Sequence, residues 1–329
     1  MEYYKVELEV ITRIHIGSGE KIKKYEYVYD DGDFVRIINL SKLIELMTKE
    51  NMFDDFLGFI QQATRNVNNR EASLYEYLNS RKNLQGRVLS DKEVLDSITD
   101  YKVYIKKNLS RFQDIRLFMK DSMKKPYVPG SSVKGMIINA ISAVMPEKDI
   151  KAVISAIILS DSLPIDTANL IIDTVKRYNI KKGKESAVNE YIEFLKPQTK
   201  IRMTLKLDTN VITIDQIEYA LQTFYQIYQK YYRNYFAGAV TPLPARKNCM
   251  FLGAYTGFST KTVVYPKYRE HACQRAAQIL SRQFRKPERF FMFRNVAPLC
   301  LKCVSINGKL YENGAVSIEF VRKEGINEA

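Results

Sequence analysis

The stretch from Tyr127 to Ile141, "YVPGSSVKGMIINAI", decides how the rest of the chain is read. Pro129 and Gly130 break the chain, Ser131 and Ser132 offer hydroxyls of the kind that cap helices, and the apolar run from Val133 to Ile141 continues with helical character. A sharp turn opening a helix is predicted. At such a terminus the first backbone N–H groups lack intrahelical partners and the dipole is positive. Ser131, Ser132 and Lys134 would then add hydroxyl donors and a cation to a place suited to phosphate. An ordinary capped helix after a proline turn is the plainer reading of the same letters.

Composition limits what the chain can be. Its 329 residues are 46% hydrophobic, enough for a sizeable core in one large domain or two ordinary ones. The net charge of +14 is concentrated: residues 101–134 hold nine basic and two acidic side chains, residues 261–302 hold ten and two, and the remainder is close to neutral. Localised positive charge beside 22 Tyr and 16 Phe suggests a polyanion with stackable bases, single-stranded nucleic acid more than a membrane. A solvated basic face is the alternative. Met1 leads straight into charged, alternating sequence, and no apolar run approaches the roughly 18 residues that span a bilayer, so a cytoplasmic location is expected. Four cysteines are too few for a disulfide framework. Cys300 and Cys303 form "CLKC" near His271 and Cys273, but strand alternation puts residues three apart on opposite faces, which argues against zinc.

Along the chain, Tyr4, Val6, Leu8 and Val10 alternate with charged residues, predicting a half-buried strand that ends at the loop Gly17-Ser18-Gly19. His15, one of two histidines, is read as a strand residue beside that loop, with acid–base work the minority case. A hairpin around Asp31-Gly32 precedes helical spacing over 43–60, a polar stretch, and a basic strand in "YKVYIKK". After the Pro129 helix, "ILSDS" at 158–162 reads as a buried strand or helix end running into a turn. "DTANLIIDTVKRYNI" is expected to be helical, and "AVNEYIEFL" and "TKIRMTLKLD" to pair as a hairpin over 187–207. Thr213 caps a long helix to 236. A short apolar strand at 249–254 runs into Gly253 and Gly257, followed by Ser259 and Lys261. That loop is not a P-loop, because three residues separate its glycines and Thr260 precedes Lys261, yet it can sit on a phosphate backbone. Residues 268–286 form a basic helix with Arg275, Arg282, Arg285 and Lys286, and closing strands flank Asn307-Gly308, with a turn at Asn313-Gly314.

The strong elements run β-α-β-β-α-β, an α+β, ferredoxin-like (RRM-like) order with a large insertion after the first strand. "PGSSVKG" resembles the proline-glycine-serine-lysine-glycine motif of the RAMP superfamily, the repeat-associated subunits of CRISPR effector complexes. "ITRIHIGSG" is similar to that family's first strand and glycine turn, "ILSDS" to its serine-aspartate-serine segment, "VNEYIEFLKPQTKIRMTLKLD" to its glutamate-bearing hairpin, "FLGAYTGFSTKT" to its glycine loop, and "APLCLKCVSINGKLYENGAVSIEF" to its closing strands.

Together these pieces resemble the type III-A (Csm complex) subunit that caps the backbone filament at the crRNA 3′ end. The resemblance implies a RAMP core over 1–19 and 127–260, an inserted helical and β-ribbon region over 20–126, and a C-terminal helix and β-hairpin region over 261–329. It implies crRNA binding, assembly with other Csm subunits, above all the backbone RAMP subunit, and crRNA 3′-end trimming through recruited host nucleases. No cofactor, metal or catalytic residue is expected. The expected RNA contacts are His15, Gly17, Ser18, Gly130, Ser131, Ser132, Lys134, Gly257, Ser259, Lys261, Arg282 and Arg285. Two alternatives stand beside this: a metal-independent endoribonuclease using His15 as base, and a target-cleaving backbone subunit using Asp30, Asp31 or Asp33.

Overall fold

The computed structural model describes residues 1–30, 33–65, 73–106 and 114–323, and its alternating first strand organises a mixed α+β architecture. Over Glu2–Val10, Tyr4, Val6, Leu8 and Val10 turn inward while Lys5 stays exposed. This strand pairs antiparallel on both sides, so that Val6 stands opposite Met203 and Phe320, and Leu8 opposite Ile201 and Ile318. The resulting five-stranded sheet has the order Cys249–Phe251, Ala315–Arg322, Glu2–Val10, Lys200–Leu207, Ile157–Leu159. Helices Gly130–Val144 and Ile214–Tyr231 pack together and share one core with its inner face through Val133, Ile137, Ala140 and Ile141, and through Ile217, Leu221 and Phe224. Each of these buried side chains except the small Ala140 stabilises by about 1.5–3 kcal/mol. The second helix opens with a capping box between Thr213 and Gln216.

Two expected elements change. The 187–207 hairpin does not form: Tyr191–Leu195 pairs with Leu170–Asp173 and Ile115–Phe118, while Lys200–Leu207 takes Ile157–Leu159 as its outer neighbour. All five residues of Tyr191–Leu195 are buried, which suits a strand covered on both faces, whereas Lys200–Leu207 alternates and fits a sheet covered on one. The stretch expected to be helical from Asp166 is instead a short 3₁₀ turn, Thr167–Asn169, followed by strands Leu170–Asp173 and Lys176–Asn179. Ile171, Ile172, Thr174 and Val175 are β-branched, and four successive buried positions cannot lie on one face of a surface helix.

The seven-stranded sheet runs Gly17–Ile22, Ile115–Phe118, Tyr191–Leu195, Leu170–Asp173, Thr99–Ile105, Phe34–Ile38, Tyr27–Asp30. Strands from 17–38 and 99–118 are thus hydrogen-bonded into the same sheet as strands from 170–195, so no break in the sheet marks the expected boundaries at 19 and 126. The helices of this region hold a core of their own around Leu43, Met47, Phe56, Leu74 and Leu78. The expected turn at Asp31-Gly32 lies outside the described residues, but its flanking strands pair antiparallel, Tyr27 opposite Ile37. Part of the first basic stretch, 107–113, also lies outside them.

At the other end, Cys300–Ile306 and Lys309–Glu312 form the hairpin expected around Asn307-Gly308, joined to Lys176–Asn179 and Lys184–Ala187 in a four-stranded sheet. The turn at Asn313-Gly314 then carries the chain out of that sheet and into the five-stranded one. The boundary expected at 260 is therefore also bridged. The long helix stops at Tyr231, short of 236, and the basic helix spans Ala272–Phe284 after a 3₁₀ turn.

Candidate nucleic-acid interface

The helix at Gly130 begins as expected, but its cap is different. Pro129 is the N-cap and makes no side-chain capping bond, so Ser131 and Ser132 lie inside the first turn. The Gly130 N–H donates instead to Asp161 Oδ1 at 2.8 Å. Asp161 belongs to the "ILSDS" segment, which works as a clasp. Val128 N–H donates to Ser162 Oγ (2.9 Å), Ser162 N–H donates to Val128 O (2.9 Å), and Thr204 N–H donates to Ser160 Oγ (2.9 Å). A side chain at Gly130 would collide with the Leu159 carbonyl and stand 2.6 Å from that of Ser160. Gly130 is thus needed for packing, and a carboxylate already answers the positive end of the helix. Of the remaining candidates here, Ser131 is exposed, and Lys134 is half-buried and makes no ion pair or hydrogen bond among the described residues.

His15 is not a surface group. Its ring is 2% exposed, packed among Phe118, Phe194 and Tyr255, and its Nδ1 donates to the Glu193 carbonyl at 2.7 Å. Burial pushes its pKa down to about 4. The Glu193 carboxylate is buried too, accepting from Tyr101 Oη (3.0 Å), from Phe118 N–H (2.8 Å) and from Lys120. His15 supports two glycines. A side chain at Gly17 would come 3.0 Å from His15 Nε2, and Gly253, at φ +88°, lies against the His15 backbone, where the Ala254 N–H donates to His15 O (2.7 Å).

These supports shape a cleft of about 360 Å³. Its floor is Ile16 and Gly17, one wall is the helix face Ser132, Gly135, Met136 and Asn139, and the other runs from Met250 to Ala254, ending at Thr260 and the exposed Lys261. Gly17, Ser132 and Lys261, predicted from three separate segments, therefore meet in one place. Ser18 stands beside it, with its hydroxyl hydrogen-bonded to Leu117 O and to the Glu20 N–H. Gly135, Asn139 and Thr260 were not foreseen; Gly135 closes the "PGSSVKG" motif, which was its only signal. Among the described residues, no carboxylate lines this cleft. A second groove, about 520 Å³ beside Lys5 and Arg202, contains Glu7, Asp161 and Glu319 and is poorly suited to a polyanion.

The other predicted residues lie apart from the cleft lining. Gly257, at φ +107°, caps the short turn Phe258–Lys261 in a conformation that favours glycine, and Ser259 is 2% exposed, so its hydroxyl faces the interior. Arg282 and Arg285 are exposed at the C-terminal end of the basic helix, with Lys286 and Arg289 close in sequence. Cys249, Cys273 and Cys303 are buried and all four cysteines are free thiols; no group of three metal-ligating side chains occurs among the described residues. Among them, too, no helix is long and apolar enough to cross a membrane. With Lys261 at its edge and no carboxylate among its described lining residues, the cleft can accept a phosphodiester.

Comparison with known proteins agrees with this architecture. The chain is 29% identical over 353 aligned positions to the CRISPR system Cms protein Csm5 of Enterococcus italicus, covering 96% of this chain and 97% of that one. It is 24% identical to the Csm5 protein of Streptococcus thermophilus, over 79% and 80%. Its fold is similar to a chain in the cryo-EM structure of a type III-A Csm–crRNA–target RNA ternary complex, with a TM-score of 0.67 at 15% identity, over 96% of this chain and all of that one. The crystal structure of T. onnurineus Csm5 gives 0.57 at 14% identity, over 89% and 99%. Residues 7–271, from the first strand through the glycine loop, match the RAMP superfamily, to which this chain belongs.

Proposed function

We propose that this protein is a non-catalytic, crRNA-binding subunit of a cytoplasmic type III-A Csm complex, capping the backbone filament at the crRNA 3′ end and supporting 3′-end maturation. The observation that carries the reading is the acid-free cleft in which three family-like segments converge, supported by near full-length similarity to Csm5 proteins. On this reading the core is ferredoxin-like: strands Glu2–Val10, Ile157–Leu159, Lys200–Leu207 and Cys249–Phe251 with helices Gly130–Val144 and Ile214–Tyr231, and Ala315–Arg322 wedged between the first strand and the last. Segment 261–329 adds Ala315–Arg322 to that core's sheet, the strands of 20–126 belong to the seven-stranded sheet, and both segments offer surface to neighbouring subunits. RNA contacts are assigned to Gly17, Ser18, Ser131, Ser132, Lys134 and Lys261, with Arg282 and Arg285 on a second basic face.

An endoribonuclease with His15 as base needs that ring to reach a 2′-hydroxyl, and its burial opposes this. Specific RNA cleavage that disappears in His15→Ala would overturn the non-catalytic reading. The assembly role is tested by reconstituting the complex with and without this subunit and measuring complex mass and crRNA length. Without it, a filament should still form but carry crRNA with longer or heterogeneous 3′ ends. Uniform mature crRNA in its absence would remove the maturation role.

A further inference from the structure

The stretch 282–294, "RQFRKPERFFMFR", runs off the end of the basic helix with four phenylalanines among five cations and a single carboxylate, Glu288. The helix ends at Phe284, Arg285 caps it in a left-handed conformation, and the turn Glu288–Phe290 brings the chain back so that the Phe291 ring stacks on Phe284, centroids 5.8 Å apart. Phe291 is partly buried against the core around Tyr232 and Tyr265, which holds this stack in place. Phe284, although stacked on one side, remains 55% exposed. Phe290 is 56% exposed, and the Arg289 guanidinium lies over its ring, 5.8 Å from the centroid. Arg282, Arg285, Lys286 and Arg289 are exposed and make no ion pair among the described residues. None of these residues lines the cleft.

A lone exposed phenylalanine needs no explanation, but a ring stack anchored in the core on one side and open on the other, beside a second open ring and unpaired cations, is a built surface. We propose that Phe284 and Phe290 form a base-stacking platform for single-stranded RNA, with Arg282, Arg285, Lys286 and Arg289 supplying the phosphate contacts. This rests on the RNA-binding reading and adds to it a place, apart from the cleft, where the bases themselves are gripped. Single-stranded RNA is the occupant that satisfies both halves of the surface, because each nucleotide offers a π face to a ring and a phosphate to a cation. A duplex keeps its bases stacked inside and has no free face to offer. A protein groove would cover the rings but would need a matching set of carboxylates for the cations. Stacking of this kind accepts every base, so the platform tolerates any sequence.

The test uses the full-length protein, oligo-U and oligo-A RNA, and an RNA of the same length carrying an abasic tract. The chain contains no tryptophan, so Phe290→Trp places a single indole on the platform. Its emission should be quenched by both homopolymers and left unquenched by the abasic RNA. Phe284→Leu and Phe290→Leu, which keep an apolar side chain but remove the ring, should each weaken binding of both homopolymers about tenfold while leaving affinity for the abasic RNA unchanged. Equal losses on the abasic RNA would overturn stacking. Unchanged RNA affinity in both leucine variants, with Lys261→Ala still weakening binding, would overturn the platform and leave the RNA reading intact. If those variants instead bind RNA normally but drop out of the reconstituted complex, the surface belongs to a neighbouring protein subunit and the proposal falls. Absence of RNA binding by the wild type would overturn the underlying RNA reading itself. Should either leucine variant fail to fold, quenching in Phe290→Trp still decides whether bases stack there.

Discussion

His15 shows how a residue can shape a cleft that it does not itself line. Its ring is buried and neutral, and its pKa near 4 lies below the roughly 6.5 of an unfolded chain. The folded state therefore binds fewer protons, so the stability His15 contributes is present above about pH 6.5 and is lost as pH falls towards 4, by up to about 3 kcal/mol. Urea unfolding at pH 7 and pH 5 should show a steeper loss in the wild type than in His15→Gln. Equal losses would mean that the ring is solvated. Gly130 and Gly135 make the complementary point. Gly130→Ala should destabilise by roughly 1–3 kcal/mol, because its new methyl meets backbone carbonyls that cannot swing aside, whereas Gly135→Ala gains up to about 1 kcal/mol of helix propensity. Both glycines stand in one seven-letter motif, and nothing in the sequence separates them. The difference lies in Leu159 and Ser160, residues distant in sequence that only the fold brings to Gly130.

At the scale of elements, several local readings held, the helix expected from Asp166 did not, and readings that depended on distant partners failed. Alternation in Glu2–Val10, the Asn307-Gly308 turn and the Thr213 cap are properties of a few adjacent residues, and the structure reproduces them. The supposed hairpin over 187–207 failed because Lys196-Pro197-Gln198 says only that the chain turns, not that the strands on either side share a sheet. Here Gln198 donates its N–H to Val10 O and sends the two strands into different sheets. The helix cap was missed for the same reason: its carboxylate comes from position 161, whereas capping patterns look only at the residues just before the helix. It follows that Asp161→Ala should cost about 1 kcal/mol in chemical denaturation, while Ser131→Ala should be close to neutral. A reversed order would restore Ser131 as the cap.

Over the whole molecule, the charge distribution legible in composition finds a physical form in two places, the cleft that ends at Lys261, with Lys134 on the helix that forms one wall, and the exposed end of the basic helix. Whether one RNA spans both is a question of how many phosphates are neutralised, and salt dependence counts them. Lys134→Ala and Lys261→Ala should each lower the slope of log K against log salt by roughly 0.7, similarly for every RNA sequence. For the second face Arg285 offers a cleaner variant than alanine. It holds a left-handed conformation, φ +53°, at the C-terminal cap of Ala272–Phe284, where a non-glycine side chain is strained. Arg285→Gly should therefore hold or raise the thermal midpoint, by relief of up to about 1 kcal/mol, while removing one cation. If the basic helix and the cleft grip one strand, this variant should lower the salt slope by another ~0.7, additively with Lys261→Ala because the two contacts are independent. A more stable protein with an unchanged slope would show that the basic helix faces something other than RNA.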